Sequence, residues 1–267
     1  MIDWFQALLL AAVQGLTEFL PISSSAHLVI PSLVLGWPDQ GLAFDIAVHV
    51  GTLLAVIVYY RRDLLALLVG CRDAARYREP NAETHMVFML ACASVPVAVV
   101  GLTGVSFIED QLRTLPVIAT TTAVFGVLLG YADRYTRKVS SNRGLTMPVA
   151  LMIGIAQALA PVPGVSRSGV TITAGLLLDL DRHTAARFSF FLSIPVIAGA
   201  GLVKSIELAR GDAPVDWLLL LVGAVVAALT AYACIAAFIR LLDRIGLMPF
   251  VYYRLALAGL LYWLWLA

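Results

Sequence analysis

Two short polar stretches interrupt an otherwise apolar chain: QGLTEFLPISSSAH over residues 14–27 and PGVSRSGVT over residues 163–171. In the first, Gln14 and Glu18 stand four apart, so on a helix both side chains share one face. A glutamate there can bind a divalent cation or move a proton, and Gln14 can add a neutral oxygen. Pro21 ends that helix, and Ser23, Ser24 and Ser25 open the next one. Free backbone N–H groups and hydroxyls at such a start cap the helix or cradle a phosphate. For Ser23 and Ser25 capping alone is an equally good reading; Ser24, whose counterpart 143 positions on is Arg167 rather than a serine, is the better nucleophile candidate. His27 follows by about one helical turn, within reach of general acid–base work or of direct attack on phosphorus. In the second stretch Gly164 and Gly169 allow close backbone approach. Ser166, Ser168 and Thr171 supply hydroxyls, and Arg167 supplies the planar fork that suits two phosphate oxygens.

Glu18 and Arg167 each cost about 2.5 to 3.5 kcal/mol at membrane depth. A structural salt bridge between them is the simpler explanation. The company of serines, glycines and a histidine favours a polar site instead. Phosphoryl chemistry needs neutralised charge, a positioned nucleophile and a proton carrier, and all three residue types are present. A site at that depth fits a substrate whose polar head enters while its tail stays in lipid, so the residues point to a lipid phosphate or diphosphate.

The elements that must hold these residues are membrane helices. Hydrophobic residues make up 61% of the 267 and charged residues only 13%, against roughly a quarter charged in soluble domains. The fold class expected is an all-α polytopic membrane protein in one domain. Its net charge of +1 singles out no partner, and nucleic acid is not expected. Cys71, Cys92 and Cys234 lack the short spacing of a metal knuckle and read as packing residues. The N-terminus lacks a basic segment and a cleavage site, so it is expected to remain in the mature protein. His49, alone in an apolar stretch near Asp45, reads as a packing or supporting residue, and His85 and His183 read as interfacial.

Apolar runs of about 20 residues, enough to cross a bilayer, lie near 41–60, 85–107, 115–132, 184–203, 216–238 and 250–267. Six spans are therefore expected. The regions 4–35 and 147–178 are each broken midway, and non-helical backbone at that depth is tolerated only inside protein or beside water. They read as re-entrant hairpins. The segments 61–84, 133–146, 179–187 and 239–249 then share a side and carry 13 of the 18 Lys and Arg. Positive residues favour the cytoplasm, which brings hairpin one in from outside, hairpin two in from the cytoplasm, and leaves both termini external. Gly126 and Gly130 form a small-xxx-small pair suited to close helix packing.

A shift of 143 positions places Gln14 on Gln157, Leu16 on Leu159, Ser23 on Ser166 and Ser25 on Ser168. With the topology above this is an inverted repeat, of residues 1–132 and 147–267, and such repeats put a site where two broken helices meet near the midplane.

On these residues the chain resembles the undecaprenyl-diphosphatase family, the bacitracin-resistance type of membrane phosphatase, nearly end to end. QGLTE (Gln14 to Glu18) and PGVSRSGVT (Pro163 to Thr171) match its two motifs, and FLPISSSAH matches the segment that ends in histidine. The resemblance implies hydrolysis of undecaprenyl diphosphate to undecaprenyl phosphate and inorganic phosphate. It places that reaction at the outer face of the bacterial cytoplasmic membrane, with help from Mg2+ or Ca2+, and makes Glu18, Ser24, His27 and Arg167 the functional positions. Gln14 stands where many members carry Glu, so Glu18 carries more of any metal duty. The rival expectation is a lipid-phosphate transporter, since inverted repeats with broken helices are also a transporter architecture. The sequence leaves open whether Ser24 or His27 attacks, and whether the chain forms a homo-oligomer.

Overall fold

The computed structural model describes residues 2–138, 144–210 and 216–267. Among them are eleven helices and no strand. In chain order these are α1 (Trp4–Thr17), α2 (Ser24–Leu35), α3 (Leu42–Tyr59), α4 (Arg61–Tyr77), α5 (Ala82–Gln111) and α6 (Leu115–Lys138). They continue with α7 (Met147–Gln157), α8 (Arg167–Leu177), α9 (Arg182–Ala209), α10 (Trp217–Ile245) and α11 (Met248–Leu266).

Five helices, α3, α5, α6, α9 and α10, contain a stretch long and apolar enough to cross a membrane. The sixth expected span, 250–267, coincides with α11. That helix has 19 residues but carries Arg254 and several Tyr and Trp, and is not among the five. Both broken regions are pairs of short helices. The four pieces have 14, 12, 11 and 11 residues; at 1.5 Å rise per residue none covers a hydrocarbon core of about 30 Å. Segment 61–84, counted above only for its charges, is mostly helix: α4 exposes Leu65, Leu68 and Val69 beside Arg61, Arg62, Arg72 and Arg76. Residues 139–143 of the basic segment 133–146 lie outside the described residues.

Local chemistry sets the ends of the short helices. Asp3 accepts from the Gln6 amide while the Gln6 side chain accepts from the Asp3 amide, a capping box that starts α1. Pro148 stands in the first turn of α7, where a missing N–H costs nothing. The Ser166 hydroxyl accepts from the Gly169 amide and starts α8.

Packing then repeats itself across the two halves. α1 lies against α10 and α7 against α5. A Cβ at Gly15 would collide with the Ala227 carbonyl, and one at Gly154 with the Ala93 carbonyl. Each hairpin's first arm thus touches a long helix backbone to backbone through glycine. Helix α6 packs on α11 and α8, and α3 on α10 and α9. Gly126 and Gly130 make the first of these contacts, where a Cβ would lie 3.1 Å from Arg254 Cβ and 3.1 Å from Val251 Cγ1.

The largest buried cluster gathers Phe19 from the first break with Phe188, Phe190 and Phe191 of α9 and Phe238 of α10. Phe19 and Phe190 meet edge to face at 5.4 Å. Large apolar side chains such as Leu102, Leu202, Leu221 and Leu229 point outward, as lipid-facing residues of a multi-pass membrane protein do. All three cysteines are free, and the Cys234 thiol donates to the Leu16 carbonyl at 3.2 Å.

Candidate active site

The site forms where residues 18–23, between α1 and α2, meet residues 158–166, between α7 and α8. Each break closes on a serine in the left-handed region, Ser23 at φ 76° and Ser166 at φ 71°. Those two positions superimpose under the 143-residue shift, and there backbone conformation matches as well as residue type. The Ser168 hydroxyl donates across the breaks to the Leu20 carbonyl at 2.8 Å.

Glu18 is the hub. Its Oε1 accepts from Arg167 Nη2 at 2.9 Å. Its Oε2 accepts from the Ser24 hydroxyl at 2.6 Å and from Gln14 Nε2 at 3.1 Å. His49 Nε2 lies 3.9 Å from the same oxygen. A carboxylate holding a serine hydroxyl with an arginine on its other oxygen has the nucleophile, base and orienter arrangement. Burial raises the stakes, because a lost partner would leave a charge uncompensated in low dielectric. Arg167 also donates from Nη1 to the Ser189 carbonyl at 3.0 Å, and its Cζ lies 5.8 Å from the centre of the Phe19 ring. Only two of the five guanidinium donors are used in these bonds, so the fork keeps capacity for an anion.

His27 is engaged at both ring nitrogens. Nδ1 bonds the Ser23 carbonyl at 2.6 Å; a carbonyl only accepts, so Nδ1 carries the proton. In the neutral ring Nε2 then accepts from the Tyr253 hydroxyl, also at 2.6 Å, and the two rings stack at 5.6 Å.

Exposure sorts the residues singled out in the sequence. Ser24, His27 and Arg167 are partly open, with Glu18 directly behind them. Ser23, Gly164, Ser166, Ser168 and Thr171 are buried in protein. The hydroxyl of Thr171 is spent on Ser189 Oγ at 2.7 Å and on the Arg167 carbonyl at 2.9 Å. Gly164 sits at φ +88°, and a Cβ there would strike Thr121 Oγ1 and the Ile118 carbonyl. Its close approach is therefore to α6. Gly164→Ala should destabilise the fold by about 2 to 5 kcal/mol, from left-handed strain plus overpacking. Thermal unfolding in detergent checks this against Gly259→Ala, which opens onto empty space.

Arg254 and Tyr253 were not singled out by the sequence, nor was His49 placed at the carboxylate. The Arg254 side chain is fully buried. It donates from Nε to the Thr122 carbonyl at 3.1 Å, from Nη1 to Pro21 at 3.1 Å, and from Nη2 to Gly164 at 2.7 Å and Val165 at 3.2 Å. One guanidinium thus satisfies carbonyls from α6 and from both breaks. The signal for it was indirect: Gly126, an absent side chain on the helix that faces it.

For a divalent cation the donor set is sparse. Among the described residues no three of His, Cys, Asp and Glu converge. Glu18 offers one carboxylate, and beside it Gln14 Oε1 is buried without a partner. One carboxylate and one orphaned amide oxygen fit Mg2+ of the kind that takes its remaining ligands from water and substrate phosphates. They do not make an all-protein cage.

The sequence profile of the family described as "Bacitracin resistance protein BacA" matches residues 7–260. An undecaprenyl-diphosphatase of Alcanivorax borkumensis is 56% identical over 263 residues, covering 98% of this chain and 99% of its own. One of Hahella chejuensis is 52% identical over 267 residues, covering 99% of both. A third, of Teredinibacter turnerae, is 50% identical over 260 residues, covering 97% of this chain and 98% of its own.

Proposed function

This chain belongs to the bacitracin resistance protein BacA family, and we infer from that membership and from the site that it hydrolyses undecaprenyl diphosphate to undecaprenyl phosphate and inorganic phosphate. One observation carries the assignment of roles. Glu18, from the first break, is bonded at once to Arg167 of the second and to the Ser24 hydroxyl.

Arg167 binds the diphosphate through its free donors. The Ser24 oxygen attacks the terminal phosphorus as Glu18 takes its proton; the Oγ–P bond forms and the bond to the undecaprenyl phosphate oxygen breaks. Water then attacks the phosphoserine, and Glu18 returns the proton to Ser24 as it leaves. Support for Ser24 over His27 is geometric, since the serine already rests on a base while both histidine nitrogens are occupied. Glu18 and the Gln14 carbonyl oxygen would hold a Mg2+ or Ca2+ ion together with the substrate. Such an ion supplies positive charge to the non-bridging phosphate oxygens.

The topology proposed is six spans plus two re-entrant hairpins in an inverted repeat. The matched packing of α1 on α10 and α7 on α5 supports it, as do the paired left-handed serines. With the basic segments in the cytoplasm, the protein lies in the bacterial inner membrane and the site opens outward to the periplasm, where a lipid diphosphate presents its head.

Phosphate release from undecaprenyl diphosphate by purified protein, with and without chelator, tests the reading. No release from any lipid diphosphate, together with lipid movement across liposomes, would make it a transporter. Arg167→Lys keeps the charge but loses the fork, and phosphate release should fall by about 10²-fold. Wild-type turnover in that variant would remove the bidentate role.

A further inference from the structure

The two left-handed serines are held in different ways. Ser166, at φ 71° and ψ 113°, is secured by its own side chain, whose oxygen accepts from the Gly169 amide. Ser23, at φ 76° and ψ 93°, makes no such cap; its hydroxyl reaches only the Ser25 hydroxyl, at 3.2 Å. A non-glycine residue in that region costs on the order of 1 to 3 kcal/mol and persists only where its surroundings over-determine it. In the first break the restraint falls on the Ser23 carbonyl, which takes only a long bond, 3.3 Å, from the His27 amide. His27 Nδ1 donates to the Ser23 carbonyl at 2.6 Å, and His27 is in turn held at Nε2 by the Tyr253 hydroxyl. Ser23 directly precedes Ser24, so its ψ and the following φ set where the Ser24 hydroxyl points.

We propose that Tyr253 and His27 are positioning residues. They form a brace, from α11 through the imidazole to the Ser23 carbonyl, that locks the strained turn and keeps the Ser24 hydroxyl on Glu18. Tyr253 is anchored for this task because its neighbour Arg254 is bonded to the Pro21 carbonyl of the same break. The imidazole transfers no proton and forms no bond to phosphorus. Its task is to donate from Nδ1 while a partner fixes its tautomer. This proposal rests on the reading of Ser24 as the attacking group.

Phosphate release from undecaprenyl diphosphate by the full-length protein, with kcat and KM separated, tests it in wild type, His27→Ala, His27→Asn, Tyr253→Phe and the double variant His27→Asn/Tyr253→Phe. Asparagine reproduces a donor at the Nδ1 position but has no counterpart of Nε2. His27→Ala should lose about 10²-fold in kcat with KM little changed, the cost of a misplaced reacting group. His27→Asn should recover most of that loss. Tyr253→Phe should cost about fivefold in kcat, the worth of one hydrogen bond. Adding it to His27→Asn should cost nothing further, since the brace is already cut there. If His27→Asn is as inactive as His27→Ala while keeping the wild-type thermal midpoint, the imidazole does chemistry and the proposal falls. It also falls if Tyr253→Phe matches wild type, or if its effect multiplies undiminished onto His27→Asn. A wild type that releases no phosphate refutes the phosphatase reading instead, whatever the variants do.

Discussion

Glu18→Gln should reduce phosphate release by at least about 10³-fold, the loss of a general base together with misplacement of the group it activates. Glutamine has the shape of glutamate and keeps an oxygen for Arg167, so the effect isolates charge and basicity. Two consequences follow from one atom pair. Ser24 loses the acceptor that takes its proton, now 2.6 Å away, and Arg167 loses the counter-charge at 2.9 Å that offsets its burial. The second effect is thermodynamic: removing one partner of a buried ion pair costs roughly 3 to 5 kcal/mol. Thermal unfolding of Glu18→Gln against Glu18→Gln/Arg167→Met separates the two. The double variant should regain stability, having no unpaired cation, and should stay inactive. Turnover of Glu18→Gln within tenfold of wild type would mean that Ser24 is not activated by this carboxylate.

The hub was readable because membrane depth makes polar residues conspicuous. Pro21 with three serines, and Pro163-Gly164 before Arg167, stop helices in places where lipid tolerates no stop, so the breaks follow from solvation and their pairing from the 143-residue repeat. What the residue types could not say is which groups open toward a ligand. Ser166, Ser168 and Thr171 look like phosphate donors on paper, yet each hydroxyl is used inside the protein, on the Gly169 amide, the Leu20 carbonyl and Ser189 respectively. His49 reads in the sequence as a packing or supporting residue, but the group it supports could not be named. It lies 31 positions from Glu18 on another helix, and only the packing of α1 on α3 brings its Nε2 to 3.9 Å. Helix α4 was hidden because a run rich in Arg and Asp lowers mean hydropathy without preventing a helix. The charged contacts at the basic end, such as Arg182 Nη2 with the buried Asp133 at 2.6 Å, are likewise set by tertiary position.

Arg254 is the residue whose replacement should disturb the whole architecture. In sequence it follows two tyrosines near the start of the expected sixth span, where arginines ordinarily extend toward the interface. In the structure it turns inward and is fully buried. Its hydrogen-bond partners are all main-chain carbonyls: Thr121 and Thr122 on α6, Pro21 in the first break, Gly164 and Val165 in the second. Those break carbonyls have left the helical ladder and lie where no lipid group can satisfy them. Arg254→Met keeps the length and removes every donor, stranding several acceptors at about 1 to 3 kcal/mol each. A thermal midpoint lower by about 10 °C or more is expected, with phosphate release lost because both breaks relax. Arg254→Lys is the sharper experiment. A lysine keeps the charge but offers donors from a single nitrogen, which cannot reach α6 and both breaks together. It should therefore resemble Met more than wild type in stability. If Lys restores both the midpoint and turnover, buried positive charge is what the site requires; if it restores neither, the geometry of the guanidinium is what joins the two halves.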